Sequence, residues 1–145
     1  MSEGEVHASP ERFAMRSDTG LPQSVERVAS TVVDSAVAVH RALGPGLLES
    51  AYEACLTHEL RSRGLGVLTQ VAVPITYRGV ALDEGFRADM IVEHCVLVEL
   101  KAVEAILPIH EAQVLTYLRL SGLPLAFLLN FNSTLLRSGL RRYRL

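Results

Sequence analysis

A chain of 145 residues has room for one substantial core. Its apolar fraction of 49% and charged fraction of 21% fit a globular protein and exclude a disordered one. A net charge of −2 excludes a globally basic nucleic-acid-binding surface, no apolar run approaches the roughly 20 residues of a bilayer span, and Cys55 and Cys95 are too few for a disulfide framework.

Residues 1–23 carry Ser, Glu, Pro and Gly without sustained periodicity and are expected to form a flexible N-terminal extension, with the folded domain over 24–145. They lack a basic stretch followed by an apolar one, so no signal peptide is expected. That, with the two unpaired thiols, suits a cytoplasmic protein with no membrane partner. The extension holds four acids and two bases, which leaves the remainder electrically balanced. Lys101 is the single lysine among 14 basic residues. A chain that otherwise uses Arg can reserve Lys for a place needing a compact, titratable ammonium.

Ser24 reads as the N-cap of a first helix, with Val25, Val28, Val32, Ala36, Val39 and Leu43 at helical spacing. Gly44-Pro45-Gly46 stops it. A second helix is predicted from Leu47 to about Arg63, with an apolar stripe of Leu48, Ala51, Tyr52, Cys55, Leu56 and Leu60 and Gly64 as its cap. The period then becomes two: Val67, Thr69, Val71, Val73, Ile75 and Tyr77 alternate with their neighbours, and Pro74 marks an edge or bulged strand. Arg78-Gly79 and Asp83-Glu84-Gly85 read as turns. Strands over 86–92 and 96–101 are separated only by Glu93, His94 and Cys95 and should form an antiparallel hairpin. Pro108 opens a third helix that runs to about Leu120. The run 123–131 reads as a central strand with Pro124 at its start, and a short hairpin ends near Arg144. The order is α-α-β-β-β-α-β-β, an α/β (α+β) chain with a mixed sheet flanked by helices.

Chemistry concentrates on the 86–101 hairpin. Glu99 and Lys101 are two apart on one strand and share a face. Centring the loop on His94 sets Asp89 opposite Glu99, with Cβ atoms roughly 5 Å apart. Two carboxylates so close repel unless a cation intervenes. Two readings stay open here: a cross-strand ion pair with Lys101, or a site for a divalent cation, with Mg²⁺ favoured by hard oxygen ligands. Arg87 shares a face with Asp89. Glu49 lies in the first turn of the second helix, where an acid also suits the helix dipole. Gln113 and Tyr117 lie on one face of the third helix, and His110, at its start, reads as a cap or a site residue. Arg137, Arg141, Arg142 and Arg144 form either a solvated face or a phosphate-contacting one.

Five segments recur together in order: Gly46-Leu47-Leu48-Glu49-Ser50-Ala51-Tyr52, Gly85-Phe86-Arg87-Ala88-Asp89, Val98-Glu99-Leu100-Lys101, His110-Glu111-Ala112-Gln113 with Thr116-Tyr117-Leu118, and Leu129-Asn130-Phe131. This pattern resembles the GxxExxY protein family of the PD-(D/E)XK nuclease superfamily over roughly residues 24–145. The proline that names the superfamily is replaced here by Ala88.

The resemblance implies a restriction-endonuclease-like core and a metal-dependent nuclease acting on phosphodiester bonds, with DNA as the expected partner. It implies Mg²⁺ or Mn²⁺ as cofactor, held by Asp89, Glu99, the Leu100 carbonyl and Glu49. It further implies that Lys101 orients the attacking water and that Gln113 and Tyr117 stand beside the site. Arg87, His110, Arg141 and Arg142 are the candidates for substrate contact. Cleavage of both strands would call for a homodimer. The alternative is a non-catalytic nucleic-acid- or protein-binding module that keeps the fold.

Overall fold

The structure, a computed structural model, describes residues 20–145; the extension expected over 1–23 therefore lies, through residue 19, outside the described residues. Helix α1 spans Gln23–Leu43 and α2 Glu49–Ser62. Strands β1 (Val67–Tyr77), β2 (Val80–Val92) and β3 (Val96–Lys101) follow, then α3 (Pro108–Ser121), β4 (Leu125–Asn130), a single 3₁₀ turn at Leu136–Gly139 and β5 (Leu140–Tyr143). The strands lie in sequence order in one five-stranded sheet. All neighbours are antiparallel except β3 and β4, which are parallel and joined through α3. This is the mixed α+β arrangement expected of a restriction-endonuclease-like fold.

Each face of the sheet is covered. Helices α1 and α2 bury Val25, Ala29, Val32, Ala36, Tyr52, Leu56 and Leu60 against one face, with Val98, Leu100, Phe127 and Leu129 below them. Helix α3 covers the other face through Val114 and Leu118, over Leu97, Ala126 and Leu128. Burial on both sides explains why β4 reads as an unbroken apolar run.

Four details differ from the sequence-based expectation. The first helix starts two residues earlier, at Gln23, so Ser24 lies inside it and makes no cap; Pro22 precedes the helix instead. Leu48 is 77% exposed at the start of α2, because the helix begins only after it and its side chain misses the core face. Asp83-Glu84-Gly85 is not a turn, since β2 continues through it. Gly85 instead lies in a bulge of β2, where residues 83–85 stand opposite Pro74 alone, and it allows a close approach: a Cβ there would collide with the Val73 carbonyl oxygen. The last hairpin has one strand only, β5, which follows the 3₁₀ turn and pairs with β4.

The β2–β3 ladder ends at Met90 and Val98, whereas β1 and β2 stay paired as far as Tyr77 and Val80. The two strands thus project past β3 as an arm closed by Arg78 and Gly79, both with positive φ. At the base of the arm both strands turn over. Val67, Met90 and Val92 pack under α1 and α2, yet Val71, Phe86 and Ala88, of the same parity, pack with α3. The turnover falls between them, where Gln70 adopts a left-handed backbone with φ of 51°.

Candidate functional site

One cleft of about 110 Å³ opens where β3 ends and the arm diverges. Glu49, Arg87, Asp89, Glu99, Lys101, Gln113, Val114 and Tyr117 line it. Three layers of the fold therefore meet there: the start of α2, the hairpin and one face of α3.

Local chemistry fixes each contributor. Tyr52 is fully buried, its ring stacked on Phe131 at 4.6 Å. Its hydroxyl donates to the Gly44 carbonyl (2.6 Å) and accepts from the Leu47 amide (3.1 Å). That pins the loop into α2 and with it Glu49. Beyond Lys101, the buried Asn130 side chain accepts from the Val103 amide and donates to the Val103 carbonyl, which secures the return toward α3. Tyr117 stacks on Phe86 at 4.0 Å with the rings 4° from parallel, so its place against the arm is set by packing.

Asp89 and Glu99 replace the missing rung of the β2–β3 ladder. The Leu100 amide donates to Asp89 Oδ2 (2.9 Å), and the Asp89 amide donates to Glu99 Oε2 (3.2 Å). Glu99 is 5% exposed. Burial, the hydrogen bond to the Asp89 side chain and the Asp89 charge push its carboxyl up to about 9, against the pull of Lys101 and the Asp89 amide. Partial burial also raises the Glu49 carboxyl, and the charges of Asp89 and Glu53 add to this. The Tyr117 hydroxyl is raised by burial and by Glu99 and Asp89. The cleft is thus an acid-rich site in which Lys101 opposes only part of the charge.

The remaining candidates lie elsewhere. The His110 Nδ1 accepts the Leu107 amide at 3.0 Å and so serves the start of α3. Arg141 donates to the carbonyls of Ser138 and Leu140 on the edge strand β5. Arg142 is 5% exposed and bonds Glu26 of α1 at 2.9 Å. None of these three lines the cleft. Alternation explains Arg142: with Leu140 it faces α1, while Tyr143 faces α3 and donates to Glu111. Leu100 is buried in the core, with its amide committed to Asp89.

Two residues at the rim escaped the sequence reading. Glu53 lies one helical turn after Glu49, a spacing that could have revealed it. Gln70 donates to Glu53 Oε1 at 2.7 Å and to Asp89 Oδ1 at 3.5 Å, and its carbonyl accepts from Arg87 at 2.8 Å. A single Gln in an alternating strand carries no comparable signal.

A paired Asp and Glu with a Glu-x-Lys strand in one cleft narrows the comparison. The family model of the PD-(D/E)XK nuclease superfamily matches residues 26–143. The chain belongs to that superfamily. The match spans every element from α1 to β5. Searches among curated proteins and among solved structures gave no match. Membership in a nuclease superfamily implies nuclease-type function and nucleic acid as the partner. Superfamily members generally use divalent metals, and the donor chemistry here fits one. Asp89 and Glu99 offer hard oxygen donors in an acid-rich cleft, and one or two carboxylates completed by waters and phosphate are what Mg²⁺ takes. Among the described residues no three His, Cys, Asp or Glu side chains stand together as a group that could hold a metal ion, so Asp89 and Glu99 are a pair of donors and not part of a three-ligand cluster. No helix among them is long and apolar enough to cross a membrane.

Proposed function

We propose that this chain is a divalent-metal-dependent nuclease that hydrolyses phosphodiester bonds, with DNA as its substrate and residues 24–145 as the working domain. Within the superfamily we place it with the GxxExxY proteins, on the order of its five motifs. The observation that carries the reading is the convergence of Asp89, Glu99, Lys101, Glu49, Gln113 and Tyr117 on one cleft.

In this reading Asp89 and Glu99 hold Mg²⁺ or Mn²⁺, assisted by Glu49 and the Leu100 carbonyl. The cation would supply Lewis acidity toward phosphate oxygens and offset the crowded carboxylates. Lys101 places a positive charge beside the point where negative charge grows and orients the attacking water. Gln113 and Tyr117 present hydrogen-bonding groups from α3 to the lysine or the phosphate. Arg87, whose guanidinium is held by the Gln70 carbonyl, offers phosphate a charge-assisted contact at the rim. One cleft serves one strand, so cutting both strands of a duplex calls for two copies of the chain.

Calorimetric titration of Mn²⁺ and Mg²⁺ into the native chain and Asp89→Asn is the first test. Asn keeps an acceptor for the Leu100 amide while removing the charge. Binding that disappears in the variant supports the metal site and justifies a substrate screen. Equal binding in both chains would overturn it. The balanced charge and the internal engagement of Arg142 favour the second reading, a non-catalytic binding module. That reading gains if DNA binds without metal and is never cleaved.

A further inference from the structure

Gln70 combines two features that ordinary strand residues lack. Its backbone is left-handed, with φ of 51°, although the residue is neither glycine nor in a turn. Few non-glycine residues adopt this region, and those that do cluster where function needs a side chain aimed off the regular path. The pairs on either side, Thr69 with Met90 and Val71 with Ala88, keep a common register, so the distortion is confined to the step facing Asp89.

The consequence is a three-way tie. The carboxamide reaches Glu53 on α2 and Asp89 on β2, and the carbonyl takes the Arg87 guanidinium. Asp89 is thereby held from both flanks: Oδ1 faces Gln70 of β1, while Oδ2 accepts the Leu100 amide of β3. Through Glu53 the same amide couples the hairpin to the helix that carries Glu49. A neutral donor between two carboxylates also softens their repulsion without adding a charge to the cleft.

We propose that Gln70 is a positioning residue of the cleft: its left-handed backbone aims the carboxamide to fix Asp89 against Glu53, and its carbonyl fixes Arg87. The proposal rests on the metal-dependent reading above and acts through Asp89. A partner that orients a carboxylate ligand is commonly worth ten- to a hundredfold in metal affinity, of order.

The test uses the full chain as Gln70→Gly and Gln70→Ala. Both delete the carboxamide, but glycine adopts the left-handed backbone freely, so Gln70→Gly cannot fail to fold through strain. Mn²⁺ affinity is read by calorimetry, and exchange of the Leu100 amide is read by NMR in metal-free protein against the other β3 amides. The expected result for Gln70→Gly is a melting temperature at or above native, Mn²⁺ affinity about tenfold weaker or more, and faster Leu100 exchange. Native affinity with unchanged exchange would overturn the positioning role and leave the metal site standing. If the native chain binds no Mn²⁺, the metal reading falls separately. Exchange then decides alone: a faster Leu100 amide upholds the tie to Asp89, and an unchanged one overturns it.

Discussion

The Asp89 carboxylate accepts the amide of Leu100, and the Glu99 carboxylate accepts the amide of Asp89, so each acid closes a hydrogen bond on the other's strand. Two acids that could have been pushed apart are thus built into the hairpin's own bonding. Glu99 is left protonated at neutral pH in the metal-free protein, its carboxyl raised to about 9 by burial and by Asp89.

This has a pH signature. A carboxyl raised above its unfolded value binds a proton in the folded state that the unfolded chain has released. Its contribution to stability is complete below the unfolded value of about 4.3 and is lost as pH rises toward 9. Each pH unit in that window costs at most about 1.4 kcal/mol. Native protein in chelator should therefore melt at progressively lower temperature from pH 5 to pH 9. Glu99→Gln, which stays neutral, should show a shallower fall and exceed native at pH 8. Thermal melts of both chains across that range check this; parallel curves would contradict the raised Glu99.

Lys101 opposes the charge of Glu49 and Glu99, and among the described residues it makes no close ion pair that anchors the fold. Lys101→Ala should leave the melting temperature within a few degrees of native and retain Mn²⁺ binding. Single-turnover cleavage of labelled DNA should fall by about 10²- to 10³-fold, the scale of removing one group that stabilises developing charge. Cleavage at the native rate would remove the lysine from the mechanism.

Much of this architecture was legible in the chain, for identifiable reasons. A three-residue loop fixes a hairpin's register, so the pairing of Met90 with Val98, and hence the juxtaposition of Asp89 and Glu99, followed from Glu93-His94-Cys95 alone. Pro74 announced an edge strand with an irregular ladder because it lacks an N–H, although the extra residues of that bulge lie opposite it, at 83–85 of β2. Tertiary effects were not legible. Gly85 read as a turn because turns and close backbone approaches both select glycine, and only the position of Val73 separates them. Gln70 gave no sign because its unusual backbone is imposed where two core faces exchange. The C-terminal arginines read as one group, although strand alternation sends Arg142 under α1 and leaves Arg141 on the other side.

The Arg142–Glu26 pair joins the edge strand to the first helix, with side chains 6% and 16% exposed. Glu26 Oε2 has no hydrogen-bond partner among the described residues, so Arg142 is the partner that balances this carboxylate there. Arg142→Ala should destabilise the protein by about 3–5 kcal/mol, because it strands a largely buried carboxylate. The double variant Arg142→Met with Glu26→Leu should recover most of that loss. Urea unfolding of the native chain, Arg142→Ala and the double variant measures this, and a double variant no more stable than Arg142→Ala would show that the stranded carboxylate is not the source of the loss.

Gly85 offers a test of the arm itself. Its missing side chain lets the bulged segment of β2 pass the Val73 carbonyl, where a Cβ could be accommodated only by moving backbone. Gly85→Ala should therefore cost about 1–3 kcal/mol, the usual scale for overpacking. The change should act through the arm: Phe86, the next residue, carries the ring on which Tyr117 is stacked. A displaced Phe86 frees the Tyr117 ring, so its NMR ring resonances should shift, while those of Phe127, buried on the opposite face, stay put. Native stability together with an unmoved Tyr117 would mean that the arm yields at Gly85 without strain.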